Sequence, residues 1–169
     1  GRLPALPGER PTLKDWEDHL TTLFPEVRLK QFLEMRGADG GPWARLCALP
    51  ALWVGLLYDQ TALDAAWDLV KDFDIEEMAR LRDEVPRQAL GTPLGKGTVG
   101  DLAREVLRIA EDGLRRRGRA GKTSSDETEY LLALREIADS GVTPAEDLLR
   151  RFHGPWNGSV DPVYEECAY

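Results

Sequence analysis

The chain has 169 residues, of which 42% are hydrophobic and 31% are charged, and its formal net charge is −8. This length fits one domain with a sizeable hydrophobic core. The acidic balance argues against a broad nucleic-acid-binding surface, because such a surface needs an excess of basic residues.

The sequence also narrows the cellular setting. Cys47 and Cys167 are too few for a disulfide framework, and a cysteine-poor acidic chain is typical of a reducing compartment. Residues 1–11 are rich in proline and predict an exposed loop rather than a targeting peptide. Residues 46–58 are apolar but too short to cross a bilayer. We therefore expect a cytoplasmic protein with no membrane and no nucleic-acid partner.

Helical periodicity dominates most of the chain. Favourable N-cap residues mark the starts of several helices, and the Thr143-Pro144-Ala145-Glu146 stretch combines an N-cap, a proline at the first helical position and a glutamate at the third. The predicted helices cover residues 12–23, 43–58, a segment beginning at 61, 74–83, 98–117, 126–139 and 143–152. Loops are expected at 86–97 and 119–125, the second of them polar and mobile.

One segment, residues 26–36, alternates with a period of two, which predicts a β-strand. Its odd positions are mostly apolar, whereas five of its six even positions are charged. A single strand cannot satisfy its own backbone N–H and C=O groups, so this strand needs neighbours that the chain does not obviously provide. The fold class is therefore α+β and predominantly helical. Residues 12–152 form a helical region with the strand at 26–36, residues 153–169 form an irregular tail, and all belong to one domain.

The charged face of this strand is the best candidate for chemistry. Glu34 and Arg36 point the same way, and a carboxylate beside a guanidinium suits a wall that holds Mg²⁺ and phosphate oxygens. The alternative is an exposed cross-strand salt bridge of little energetic value. Arg28 and Lys30 share the face and either contact substrate anions or are simply solvated. Asp39, in the following glycine-rich loop, either joins the site or forms an Asx turn.

The segment from Phe24 to Asp59, FPEVRLKQFLEMRGADGGPWARLCALPALWVGLLYD, resembles glutamate–cysteine ligases of the plant and alphaproteobacterial type. The similarity continues through Thr143 to Glu146 and from Gly158 to Tyr164. Members of that family are much longer, and this chain resembles only their C-terminal part.

The resemblance implies a glutamine-synthetase-like carboxylate–amine ligase fold, in which the strand joins an antiparallel sheet completed by missing N-terminal sequence. It also implies that Glu34 is a Mg²⁺ ligand and that Arg36 faces the transferred phosphoryl group. Arg28, Lys30 and Asp39 are weaker candidates for substrate binding. One glutamate cannot build a Mg²⁺ site, so further carboxylates are expected from the N-terminal part of the same enzyme.

The implied reaction is the ATP-dependent ligation of the γ-carboxylate of glutamate to cysteine, the first step of glutathione biosynthesis. ATP phosphorylates the carboxylate, and the cysteine amine then displaces phosphate from the acyl phosphate. Glutamate, cysteine and ATP are the expected ligands, and the isolated chain is expected to be inactive. The alternative function is a non-catalytic helical interaction module that keeps the ligase sequence without the chemistry.

Overall fold

The computed structural model describes residues 7–119 and 127–168 and is mostly helical, with two small antiparallel sheets. This confirms the predicted predominance of helix with a minor β component. The chain divides into two compact units, residues 1–39 and 40–169. The single domain predicted for the whole chain stays a prediction. The predicted mobile loop at 119–125 lies almost entirely outside the described residues.

The first unit contains one helix and one hairpin. Helix α1 (Leu13–Leu20) begins with the predicted N-cap, Thr12, whose hydroxyl accepts a hydrogen bond from the Asp15 N–H while the Asp15 carboxylate accepts one from the Thr12 N–H. This reciprocal capping box satisfies two backbone donors at the helix start. The helix ends at Leu20, three residues before the predicted end at 23.

The predicted strand at 26–36 is wrong in one respect, because the segment folds back on itself. Strands β1 (Val27–Leu29) and β2 (Leu33–Met35) pair antiparallel, with residues 30–32 as the turn. Pairing within the segment satisfies backbone groups that a lone eleven-residue strand would leave unpaired. No Gly, Pro, Asn or Asp interrupts residues 26–36, so the sequence carries no ordinary turn signal there.

No described side chain of the first unit is buried. The apolar face of the hairpin is open to solvent, with Leu29 80% exposed and Leu33 55% exposed. Helix α1 is likewise exposed, including Trp16 at 57%. An isolated two-stranded hairpin is marginally stable in water, so this unit lacks the core that normally supports a hairpin.

The second unit is a helical assembly around one core. Its α-helices are α2 (Trp43–Leu57), α3 (Gln60–Val70), α4 (Ile75–Gln88), α5 (Val99–Arg119), α6 (Leu132–Ser140), α7 (Pro144–His153) and α8 (Val163–Glu166). Short 3₁₀ segments lie at Ala89–Gly91 and Glu127–Leu131, and strands β3 (Pro93–Leu94) and β4 (Gly97–Thr98) form a second hairpin.

Several predicted boundaries in this unit need correction. Asp59, not Thr61, caps α3 by accepting a hydrogen bond from the Ala62 N–H. Helix α4 continues through Pro86, which was expected to begin a loop, because a proline near the end of a helix removes only one late hydrogen bond. The helix start predicted at residue 126 lies outside the described residues, and the described part begins as a 3₁₀ turn at Glu127–Leu131. The tail predicted to be irregular contains α8.

Helices α2 and α5 approach each other unusually closely at two glycines. A Cβ atom added to Gly55 would lie 2.3 Å from the Ala110 carbonyl oxygen, and one added to Gly113 would lie 2.0 Å from the Gly55 carbonyl oxygen. Both distances are far below van der Waals contact, so only glycine fits at either position. The buried core collects around this crossing and comprises Ala51, Leu56, Ala62, Ile109, Ala110, Leu114 and Leu131.

Among the described residues, no single helix is long and apolar enough to span a membrane. Helices α2 and α3 together meet the criteria of length and composition, but they are bent by 93° at their junction.

The substitution Gly113→Ala is expected to destabilise the protein by about 1–3 kcal/mol or more, because neither backbone can move without disturbing the core. Urea unfolding followed by circular dichroism measures the change. Gly91→Ala is the matched control, since nothing lies within 4 Å of its added Cβ, and its effect should stay within about 0.5 kcal/mol. Equal urea midpoints for the Gly113→Ala and Gly91→Ala variants would contradict the close approach of α2 and α5.

Candidate active site

The hairpin of the first unit brings three of the five predicted site residues together. Arg28 and Glu34 are opposite each other in the β1–β2 register, and the Arg28 Nε donates a 2.7 Å hydrogen bond to the Glu34 Oε2. The Lys30 Nζ lies 3.9 Å from the same oxygen, although Lys30 is in the turn and not on a strand. The Arg28 and Glu34 side chains are each 31% exposed, so their ion pair is partly shielded from water.

The shared face that the sequence predicted survives the change from strand to hairpin. Residues 30–32 form a three-residue turn, and therefore Arg28 on β1 and Glu34 on β2 stay on the same face while Leu29 and Leu33 share the other. The cross-strand salt bridge foreseen as the alternative is present, and it joins Glu34 to Arg28.

Arg36 follows β2 and extends the hairpin by one more backbone contact. Its N–H donates a 2.7 Å hydrogen bond to the Glu26 carbonyl oxygen. Its guanidinium carbon lies 4.8 Å from the centroid of the Phe24 ring, a cation–π distance. The Arg36 Nη1 is buried and has no hydrogen-bond partner. This nitrogen is a strong donor that the described residues leave unsatisfied.

The remaining candidate, Asp39, stands apart from this cluster. It is exposed in the segment after β2 and, in the part of the chain that the structure describes, makes no hydrogen bond or ion pair. Phe24 is the residue that sequence reasoning did not single out. Phe24 lies two residues before the alternating segment at 26–36. No spacing rule connects an aromatic ring with an arginine twelve positions later.

The electrostatics of the cluster favour an ionised carboxylate. The hydrogen bond from Arg28 lowers the pKa of the Glu34 carboxyl below its usual value, and the positive charges of Arg28, Lys30 and Arg36 act in the same direction. Partial desolvation opposes them without reversing the shift. Glu34 is therefore a charged acceptor at neutral pH and not a proton donor.

The sequence predicts that Glu34 binds a divalent cation, Mg²⁺. Mg²⁺ prefers several oxygen ligands in octahedral geometry, some from carboxylates and others from water or phosphate. Among residues 7–119 and 127–168, no three His, Cys, Asp or Glu side chains come together in a way that holds a metal ion. The described residues thus do not form a Mg²⁺ site by themselves, and one Glu34 oxygen is already engaged by Arg28.

A comparison with protein families matches residues 5–166 to the model of glutamate–cysteine ligase family 2. The chain belongs to this family. The resemblance read from the segment at 24–59 is thereby confirmed.

Curated relatives agree with the family match. The chain is 55% identical to a chloroplastic glutamate–cysteine ligase of Arabidopsis thaliana, 54% to that of Medicago truncatula and 53% to that of Solanum lycopersicum. Each alignment covers all 169 residues of this chain but only 31–32% of the relative. The chain thus spans about a third of the length of these ligases.

The same relatives correct the expected location. Their names place them in the chloroplast, which contradicts the cytoplasmic prediction made from cysteine content and the apparent lack of a targeting peptide. The inference failed because two cysteines are compatible with more than one reducing compartment.

The pKa of Glu34 provides a direct test of the cluster in the 169-residue chain. Replacing Arg28 with Met removes the hydrogen bond and should raise that pKa towards the usual value of a glutamate carboxyl. The matched change Lys30→Met should raise it less, because Lys30 is 3.9 Å away. A carbon-13 titration of the Glu34 side chain measures both.

The sign of the accompanying stability change follows from the depressed pKa. The Arg28–Glu34 pair stabilises the fold at pH values above the unfolded-state pKa of the Glu34 carboxyl. This contribution is lost as the pH falls through the lower folded-state pKa of the same group.

In the titration, a larger rise in the Glu34 pKa for Lys30→Met than for Arg28→Met would contradict the arrangement of the cluster.

Proposed function

We propose that this chain is the C-terminal part of a glutamate–cysteine ligase that joins the γ-carboxylate of glutamate to the amine of cysteine at the expense of ATP. The observation that supports this proposal most is the hairpin in the family-matched region, which brings Arg28, Lys30 and Glu34 together and is followed directly by Arg36. The non-catalytic interaction module is not favoured, because identity to named ligases stays at 53–55% over the whole chain.

The proposed reaction has two displacement steps. A γ-carboxylate oxygen of glutamate attacks the terminal phosphorus of ATP, and the bond from that phosphorus to the ADP oxygen breaks. The cysteine nitrogen then attacks the acyl carbon, the carbon–oxygen bond to phosphate breaks, and the nitrogen gives up a proton as the amide forms. Glutathione biosynthesis is the pathway in which this product is used.

In the proposed reaction, Arg36 binds the oxygens of the transferred phosphoryl group. Both displacement steps place negative charge on phosphoryl oxygens, and a planar guanidinium donates two parallel hydrogen bonds to such oxygens. The Arg36 side chain makes no ion pair within the described residues, and its buried Nη1 has no acceptor. This nitrogen is therefore a donor without an acceptor among the described residues, which supports a role of Arg36 in binding a substrate anion.

Arg28 and Lys30 have a second role in the proposal beside substrate contact. Their positive charges neutralise Glu34 in the protein without ligands. With Mg²⁺ bound at Glu34, Arg28 and Lys30 would be free to contact phosphate or carboxylate oxygens of the substrates. Asp39 is proposed only as a polar residue at the rim of the same site.

We propose Mg²⁺ as the metal of the complete enzyme, with Glu34 supplying one oxygen ligand. The other carboxylates would come from the part of the ligase that this chain does not span, since the relatives are about three times longer. The same additional sequence would complete the antiparallel sheet of a glutamine-synthetase-like fold. It would cover the exposed apolar face that includes Val27, Leu29 and Leu33.

The substitution Glu34→Gln tests the metal role in a full-length ligase that carries this sequence. Formation of γ-glutamylcysteine should fall by about a hundredfold or more, because an amide is a poor substitute for a charged metal ligand. The melting temperature should change little, since a partly exposed ion pair contributes little to stability.

The control for this variant is Glu17→Gln, which removes an exposed carboxylate from α1 of the same unit. It should leave turnover unchanged. Near-normal turnover of the Glu34→Gln enzyme at saturating Mg²⁺ would exclude Glu34 as a ligand.

A further inference from the structure

The contact between Phe24 and Arg36 fixes a guanidinium without using any of its hydrogen-bond donors. The ring centroid is 4.8 Å from the guanidinium carbon, and the attraction arises between the cation and the electron-rich face of the ring. A carboxylate partner would have occupied two N–H groups and neutralised the charge. Phe24 restrains Arg36 and leaves both its charge and its N–H edge intact.

The backbone on both sides of this contact is held by the hairpin. The Arg36 N–H donates to the carbonyl oxygen of Glu26 at 2.7 Å, and Glu26 is two residues after Phe24 on the other arm of the hairpin. The carboxylate of Glu34, two residues before Arg36, accepts its hydrogen bond from Arg28 instead. Arg28 and Lys30 therefore lie beside the Glu34 carboxylate, whereas Arg36 contacts the aromatic ring.

Phe24 is 73% exposed and fills no cavity among the described residues. The contact that the structure gives its ring is with the guanidinium of Arg36. High exposure is shared by the apolar face of the hairpin, so the cation–π contact, and not the exposure, points to a role of Phe24 in orienting Arg36. The buried and unsatisfied Nη1 of Arg36 indicates where an anionic ligand would complete the arrangement.

We propose that Phe24 is a positioning residue for the phosphoryl-transfer steps. It holds the plane of the Arg36 guanidinium so that the free N–H edge meets the phosphoryl oxygens in the transition state. This inference rests on the proposed function of Arg36. Preorganised donors accelerate a reaction more than mobile ones, because no reorganisation is needed when the charge develops.

The first measurement examines the contact in the 169-residue chain by nitrogen-15 NMR of the Arg36 Nε–H group. Phe24→Leu removes the ring and should shift this resonance, because the ring current disappears. Phe24→Tyr keeps the ring and should leave the resonance near its original position. Phe32→Leu is the matched control, since Phe32 is an exposed phenylalanine of the hairpin turn. An unchanged resonance in Phe24→Leu would overturn the proposal.

The second measurement uses a full-length ligase that carries this sequence. Phe24→Leu should lower kcat about two- to fivefold, the range expected from loss of a partly exposed cation–π contact, and leave KM for glutamate unchanged. Phe24→Tyr should restore kcat, and Phe32→Leu should not alter it. A rise in KM with constant kcat would make Phe24 a substrate contact and overturn the positioning role, as would an unchanged kcat.

Arg36→Lys separates this inference from the function on which it rests. Lysine keeps the charge but loses the planar fork, so kcat should fall well below that of Phe24→Leu. If Arg36→Lys lowers kcat while Phe24→Leu does not, only the positioning role is wrong. If Arg36→Lys retains full kcat, the phosphoryl role of Arg36 is wrong and the inference falls with it.

Discussion

The close crossing of α2 and α5 is the constraint on which the second unit depends. Gly55 and Gly113 let the two backbones meet at distances that any Cβ atom would prevent, and the apolar side chains of both helices then close around the contact. Interiors packed at crystal-like density do not tolerate an added methyl group at such a point. The second unit therefore has a buried core of its own that stabilises its fold.

The first unit is physically different, and the difference bears on function. It holds the charged hairpin face but has no buried side chain among its described residues, and its apolar hairpin face remains in water. A site that must orient a carboxylate and a guanidinium needs rigid support from surrounding packing. The matched relatives are about three times as long as this chain, which supports a proposal in which the rest of the ligase provides that support.

Local signals in the sequence predicted local structure well. Thr12 with Asp15 and Thr143 with Glu146 both form capping boxes, because a cap depends on residues only three positions apart. The alternation at 26–36 predicted which side chains share a face, but the hairpin was missed because its turn contains no Gly, Pro, Asn or Asp. The Arg28–Glu34 pair and the Phe24–Arg36 contact arise from that fold-back. They could not be predicted from a straight strand.

If this chain supplies only part of a ligase site, the remaining metal ligands lie outside it. The most direct test is ATP-dependent formation of γ-glutamylcysteine, measured for the isolated 18.9 kDa chain and for a full-length ligase that contains it, with both masses confirmed. We expect product from the full-length enzyme and none from the isolated chain. Substantial turnover by the isolated chain, or no turnover by the full-length enzyme, would contradict it.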